Sequence, residues 1–220
     1  HGYDAIPARL PGGSTRLVEP TETRVATSDA RRQLAARDYL EAIDYAFVDA
    51  GLLGKWGMDE GLVALANPLS AELGVMRPGL LPGLVDALGR NVARQQGRVR
   101  LFEVGKTFRQ SGDAPVETLR IAAVACGDAS REQWGVAARP VDFHDIKGDL
   151  ESLAALSGAR LEFRAAAQPW AHPGRSAEVL RNGLAIGWIG QLHPRLQRAL
   201  GLDPEVLAFE LDLDPLLQRP

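Results

Sequence analysis

The chain has 220 residues, 45% hydrophobic and 24% charged, with a formal net charge of −3. No apolar run approaches the roughly 20 residues that cross a bilayer, so no membrane-spanning helix and no membrane partner are expected. The acidic balance excludes a protein basic throughout, so any nucleic acid must meet a local patch, and a single cysteine, Cys126, excludes an internal disulfide and fits a reducing, cytoplasmic compartment.

Residues His1–Ala26 are rich in Pro, Gly and Thr and show no period, which reads as an extended arm from a preceding domain; 27–220 then forms one module. No methionine opens the chain, which reads as a piece of a longer protein. Ser28 or Thr27 can cap a helix reaching Tyr39 or Leu40, with Leu34 on its apolar side. Ile43–Val48 reads as a strand, Asp49–Trp56 as a short helical piece broken by Gly51 and Gly54, and Leu62–Ala66 as a second strand closed by Asn67-Pro68. Leu81, Leu84, Val85, Leu88 and Val92 share one face of a helix over Pro82–Gln96 that stops at Gly97. Arg98–Gln110 is apolar on both faces in its middle and reads as the central buried strand, ending on Phe108-Arg109 and a turn at Ser111-Gly112-Asp113.

Leu119–Cys126 is a second buried strand, with Cys126 as a small core residue. Phe143–Leu156 has helical spacing and ends at Gly158; Leu161–Ala165 is a short strand. Ala177–Leu180 and Leu184–Ile189 form a hairpin about Asn182-Gly183. Pro194 starts a short helix, Val206–Leu211 is a strand, and Asp214-Pro215 opens a last helix. This order favours an α+β fold, with helices gathered against a mixed or antiparallel sheet.

The residues alone show no self-contained catalytic constellation. Gly183, Gly187 and Gly190 sit in a hairpin, which is the wrong context for a dinucleotide loop. His144, His172 and His193 are too scattered for a helix-borne metal pair. Asp145, Asp149 and Glu151 read as a solvated helix start, and Ser14, Ser70 and Ser176 lack a nucleophile's elbow. His172-Pro173-Gly174-Arg175 reads as a loop that either contacts an anion or caps the sheet. A strand ending in an arginine can hold a guanidinium against a phosphate or carboxylate, or simply place Arg109 at a wet end.

Seven stretches occur in order: GYDAIP, MRPGLLPGLVDALGRN, LFEVGKTFR, VDFHDIKGDLE, AHPGRSAEVL, GWIGQLHP and FELDLDPLL. Together they resemble the bacterial phenylalanyl-tRNA synthetase beta-subunit family across nearly the whole chain, with Gln191 where the family more often has an acid. The resemblance implies a class II aminoacyl-tRNA synthetase-like antiparallel sheet flanked by helices, with Asp29–Val48 as motif 1, Gly105–Ser111 as motif 2 and Val206–Leu217 as motif 3.

An active motif 2 reads Phe-Arg-x-Glu; here Phe108-Arg109 is kept and Ser111 replaces the acid. The phosphate-binding arginine of motif 3 is replaced at Asp214-Pro215, and Arg77-Pro78 is followed by Gly79 where relatives place a substrate-binding Glu or Thr. The resemblance therefore implies a segment without adenylation chemistry, with neither catalytic residues nor a cofactor or metal of its own. The whole enzyme would use ATP and Mg²⁺ to charge tRNA(Phe), its magnesium-binding acids, editing site and anticodon-binding domain lying outside this segment. The partner implied is the alpha subunit in an (αβ)₂ heterotetramer, met through the motif 1 region, with Leu34, Tyr39 and Ile43 as candidate interface residues. The alternatives are a synthetase-like regulatory subunit of histidine biosynthesis, a stand-alone ATP-dependent ligase, or an α+β domain without resolvable function.

Overall fold

A computed structural model describes residues 22–112 and 114–219. The elements in chain order are α1 (Thr27–Ala35), β1 (Leu40–Glu41), β2 (Phe47–Val48), α2 (Ala50–Trp56), β3 (Val75–Met76), α3 (Leu81–Ala93), β4 (Val99–Ser111) and β5 (Ala114–Cys126). They continue with α4 (Phe143–Ser157), β6 (Leu161–Ala165), β7 (Ala171–Arg181), β8 (Leu184–Leu192), α5 (Pro194–Ala199), β9 (Leu207–Asp212) and α6 (Leu213–Leu217). Seven strands form one sheet in the order β1-β4-β5-β9-β8-β7-β6, while β2 and β3 pair separately. Only the β1–β4 pair of the large sheet is parallel. The α+β expectation therefore holds, as a mixed, mainly antiparallel sheet.

Both faces of that sheet are covered, which its sequence dictates. Along β5, Ile121, Ala123 and Ala125 enter one core with α1, α4 and α6; Ala122, Val124 and Cys126 enter the other with α2, α3 and α5. The alternation of period 2 puts small side chains on both sides, where helices can approach closely. Helix α3 buries Leu81, Leu84, Val85 and Leu88 on its sheet-facing stripe. Each such side chain contributes about 1.5–3 kcal/mol when fully buried.

Several expectations are corrected. Helix α1 has no side-chain cap from Ser28 or Thr27; Ala26 is its N-cap, and it ends at Ala35 because the chain turns through Asp38 at φ 67°. Ile43–Val48 is not one strand. Leu40–Glu41 pairs with β4, then the chain leaves the sheet and Phe47–Val48 pairs with β3. Gly51 and Gly54 do not break α2, whose Asp49 side chain accepts from the Gly51 amide at 2.8 Å and which ends at left-handed Gly57. Leu62–Ala66 makes only a bridge between Ala64 and Val75. Helix α3 stops at Ala93, not Gln96, because Gln95 takes φ 65°. Strand β4 is not central, since only two-residue β1 lies beyond it; β9 occupies the middle of the order. His172–Arg175 lies within β7, where Arg175 donates to Gln191 at 2.9 Å. Of the expected arm His1–Ala26, residues 1–21 and with them Ser14 lie outside the described residues, as does Asp113 of the expected turn.

Helix α4 begins with a reciprocal cap. The Asp142 carboxylate accepts from the His144 and Asp145 amides, and Asp145 accepts from the Asp142 amide at 2.9 Å. Hydrogen bonds from Arg139 at 2.6 Å hold the Asp145 carboxyl below its ordinary value of 3.8, against the opposing effect of its partial burial. A lowered folded pKa stabilises above the ordinary value and that contribution is lost as pH falls through the lower one. Asp145→Asn is expected to cost about 1 kcal/mol at neutral pH, with a smaller difference from wild type near pH 3. Thermal melts at the two pH values check it; an equal difference at both would contradict the cap's role.

Candidate functional site

The rows of the sheet dictate what gathers on its α3 face. In register, Glu103 stands beside Ala122, Glu210, Trp188 and Glu178; one step on, Gly105 stands beside Arg120 and Asp212. Residues two apart on a strand share a face, so these rows place charged groups of β4, β5, β7 and β9 together. They floor a cavity of ≈ 320 Å³ beyond the N-terminus of α3, with Trp170, Trp188 and Met58 as apolar walls.

Glu210 is the centre of this cavity. Its side chain is buried, and Oε2 accepts from the Leu80 and Leu81 amides at 3.1 Å each. These amides belong to the unsatisfied first turn of α3, whose N-cap Leu80 offers no side-chain acceptor. A carboxylate there also complements the positive end of the helix dipole. The other oxygen, Oε1, accepts from Arg120 Nη1 at 2.9 Å. Arg120 Nε lies 2.9 Å from Asp212 Oδ1, close enough to pair but off the hydrogen-bond line. Burial draws the Arg120 pKa down, yet Glu210 and Asp212 outweigh it and hold it above the usual arginine value. Burial raises Asp212 above the usual carboxylate value, against the pull of Arg120.

Arg77 is locked in the same way. It is buried, its Nη1 donates to Glu103 Oε1 at 2.7 Å, and its Nε donates to the Lys106 carbonyl at 2.9 Å. The guanidinium lies across β4 at Gly105, where a Cβ would fall 2.1 Å from Nη2. Only glycine leaves room for it. Burial raises Glu103 above the usual carboxylate value even though Arg77 pulls the other way.

The sequence-predicted positions fall unequally about this cavity. Arg109 stands exposed on its wall, with half-buried Phe108 beside it on β4 and Ser111 exposed at the strand's end. Asp214 is corrected: it does not line the cavity but lies exposed in α6, paired with Arg24. Pro215 is also outside, its carbonyl accepting from Arg181. The acids on the cavity wall are Glu178, Glu210 and Asp212. The reason is the strand's period: Glu210 and Asp212 face α3, while Asp214 lies past the end of β9. Leu34 and Tyr39 are corrected as surface candidates, being 0% and 2% exposed within the core. Ile43 is 90% exposed. Asp149 is corrected too: it is no solvated helix residue but a buried acceptor for Tyr39, Arg37 and Arg100.

Chemically, Arg120 is taken up by Glu210 and Asp212, Glu178 pairs outward with Arg164, and exposed Arg109 is the other cation on the wall. A polyanion entering the cavity would face three carboxylates, Glu178, Glu210 and Asp212, against two guanidiniums, one of them already held by Glu210. The residues present therefore do not fit a nucleoside triphosphate. Among the described residues no group of three or more His, Cys, Asp or Glu gathers as a metal holder.

Fold and cavity together define an α+β module, a mainly antiparallel sheet covered by helices with a charged cavity at the start of α3. A family model described as phenylalanyl tRNA synthetase beta chain CLM domain matches residues 6–213. A phenylalanine–tRNA ligase beta subunit of Xanthomonas oryzae pv. oryzae (strain MAFF 311018) is 61% identical over 222 residues, covering 100% of this chain and 28% of the relative. One from Xanthomonas campestris pv. campestris (strain 8004) is 61% identical over 221 residues, with the same coverage, and one from Xylella fastidiosa (strain Temecula1) is 58% identical over 221 residues, 99% of this chain and 28% of the relative. The chain belongs to the phenylalanine–tRNA ligase beta-subunit family, as its seven stretches implied. It spans about 28% of the length of these relatives. The histidine-biosynthesis alternative gains no support from these matches.

Proposed function

We propose that this segment is a non-catalytic counterpart of a class II synthetase catalytic domain, serving as a structural block of a phenylalanine–tRNA ligase. In this reading 27–220 is one module, the arm before it joins a preceding domain, and the alpha subunit docks on the segment to form an (αβ)₂ enzyme in the cytoplasm. The alpha subunit binds phenylalanine, ATP and Mg²⁺ and charges tRNA(Phe). One observation carries the reading: Glu210 puts a buried carboxylate into the cavity on the sheet face, and that carboxylate takes up both the start of α3 and Arg120. The losses at Ser111 and Gly79 support it, as does the locking of Arg77 on Glu103.

Equilibrium dialysis of the complete enzyme with ATP–Mg²⁺ tests this. The expected stoichiometry is one nucleotide per αβ pair, and Arg109→Ala in this segment is expected to leave amino-acid-dependent ATP–pyrophosphate exchange unchanged. Two nucleotides per pair, with one lost in the Arg109→Ala enzyme, would sink the proposal.

For the docking face, Ile43, Tyr45 and Leu40 are the exposed apolar residues of the motif 1 region, at 90%, 68% and 70%. They take the place that Leu34 and Tyr39 cannot fill.

A further inference from the structure

A second opening lies on the other side of the sheet. It measures ≈ 850 Å³ and sits between the turn after α1, the start of β4, the loop after β5 and α4. Its walls carry Arg37, Arg98, Arg100 and Arg131, with His144. Its carboxylates are shared, one between two arginines. Asp38 takes Arg131 at 3.0 Å and Arg98 at 3.5 Å. Asp149 takes Arg37 at 2.8 Å and Arg100 at 3.0 Å. The remaining wall carboxylate, Asp145, is held at 2.6 Å by Arg139 from outside the opening, an arginine that also reaches Asp142 at 3.6 Å. The four arginines of the walls outnumber their three carboxylates by one, so the opening carries a positive surplus in a chain whose total is −3. The crowding registers on Arg98, whose pKa is drawn below the usual arginine value by burial, then by Arg100, with Arg131 adding to it and Asp38 opposing. Its Nη2 contacts to Asp38 and to the Ala129 carbonyl, 3.5 and 3.4 Å, are long, so a better acceptor would be taken readily.

The loop that supplies Arg131 and Gln133 to these walls carries Trp134 next, 100% exposed. Tryptophan is highly buried on average, so a bare indole one residue along the chain from the cleft's wall asks for a planar partner. Charge alone would suit any acidic ligand. Guanidinium forks with an adjacent open aromatic face suit a strand that offers phosphates and bases together.

We propose that this cleft and Trp134 form a contact for an RNA strand, with Arg98 and Arg131 taking backbone phosphates and the Trp134 indole taking a base face. The inference rests on the reading of the chain as part of a tRNA ligase, and adds where on this segment the RNA is met.

The complete αβ enzyme tests it, carrying either Arg98→Gln with Arg131→Gln or Trp134→Ala, and titrated with tRNA(Phe) transcript between about 50 and 200 mM salt. Arg131 and Trp134 are exposed, so folding is not at stake there, and Arg37 and Arg100 are left to hold Asp149. The arginine pair is expected to weaken binding about 10-fold and to make the salt slope shallower by about 1–2. Trp134→Ala is expected to weaken it roughly 5-fold or more with the slope unchanged. Arg131→Lys, which keeps the charge, is expected to restore most of the slope. Amino-acid-dependent ATP–pyrophosphate exchange should stay at wild-type level in every variant. Unchanged affinity and slope in both variants overturns the contact while leaving the ligase reading intact. An intact enzyme that lacks the exchange reaction overturns the ligase reading itself. Quenching of Trp134 by inorganic phosphate but not by tRNA overturns the RNA assignment in favour of a small anion.

Discussion

Asp149→Ala is expected to destabilise the protein by about 3–5 kcal/mol, the cost of stranding buried charge when one member of an ion-pair cluster is removed. Asp149 sits on α4 with its carboxylate almost wholly out of water. One oxygen accepts from Arg37 at 2.8 Å; the other accepts from the Tyr39 hydroxyl at 2.8 Å and from Arg100 at 3.0 Å. Arg100 is itself buried and lies over the Tyr39 ring at 5.2 Å from its centroid. The cluster ties α1's exit, β4 and α4 together, elements distant in sequence. Its burial, and then the Asp149 charge, hold the Tyr39 phenol well above its ordinary value. At roughly 2–4 °C per kcal/mol for a domain of this size, the melting point should fall on the order of 10 °C. Adding Arg100→Leu to Asp149→Ala should recover part of the loss, because it removes the stranded guanidinium and leaves an apolar side chain in a buried place. Thermal unfolding of the two single variants and the double checks this; strictly additive losses would show that no cluster exists.

The sequence made the elements with strong local rules plain and hid the charge network. The Asn182-Gly183 hairpin, the Phe143–Ser157 helix with its Gly158 end, and Pro194 at a helix start each follow from backbone chemistry within a few residues. The short pieces around residues 40–66 are not legible locally, because their strands are two residues long and exist only through β3 and β4, which lie far along the chain. The burial of Leu34 and Tyr39 is hidden for a related reason. An apolar residue on a short amphipathic helix marks a buried face, and periodicity does not say whether a core or a partner buries it.

The cavity was legible only by halves. Arg109 and Arg77 stood out through their neighbours in sequence, whereas Arg120, Glu210 and Asp212 are brought together by register alone. The sequence does carry one signal for them. In Phe209-Glu210-Leu211-Asp212 the acids alternate with apolar residues, and Arg120 interrupts an otherwise apolar run in β5. Period-2 alternation would have put both acids on one face and left Asp214 beyond the strand.

Glu210→Ala is expected to cost about 3–5 kcal/mol, as large a loss as at Asp149, but for a different physical reason. Three donors lose their acceptor at once: the amides of Leu80 and Leu81 and the guanidinium of Arg120. The amides open a 13-residue helix that has no side-chain cap from its N-cap residue, so the Leu80 and Leu81 amides are left without their acceptor. Glu210→Gln separates geometry from charge. It keeps an oxygen for the amides but loses the attraction to Arg120 and to the helix end, so a loss of about 1.5–3 kcal/mol is expected. Removing the acid also lowers the negative charge facing the cavity, yet Glu178 and Asp212 remain against Arg109 and Arg120, so no ATP–Mg²⁺ site should appear. Melting curves for both variants, with and without ATP–Mg²⁺, decide between a cap and a remnant nucleotide site. Alanine losing much more than glutamine, and neither gaining from nucleotide, is the outcome of a structural carboxylate. A melting point raised by nucleotide in Glu210→Gln alone would mean that this one acid is all that keeps a triphosphate out.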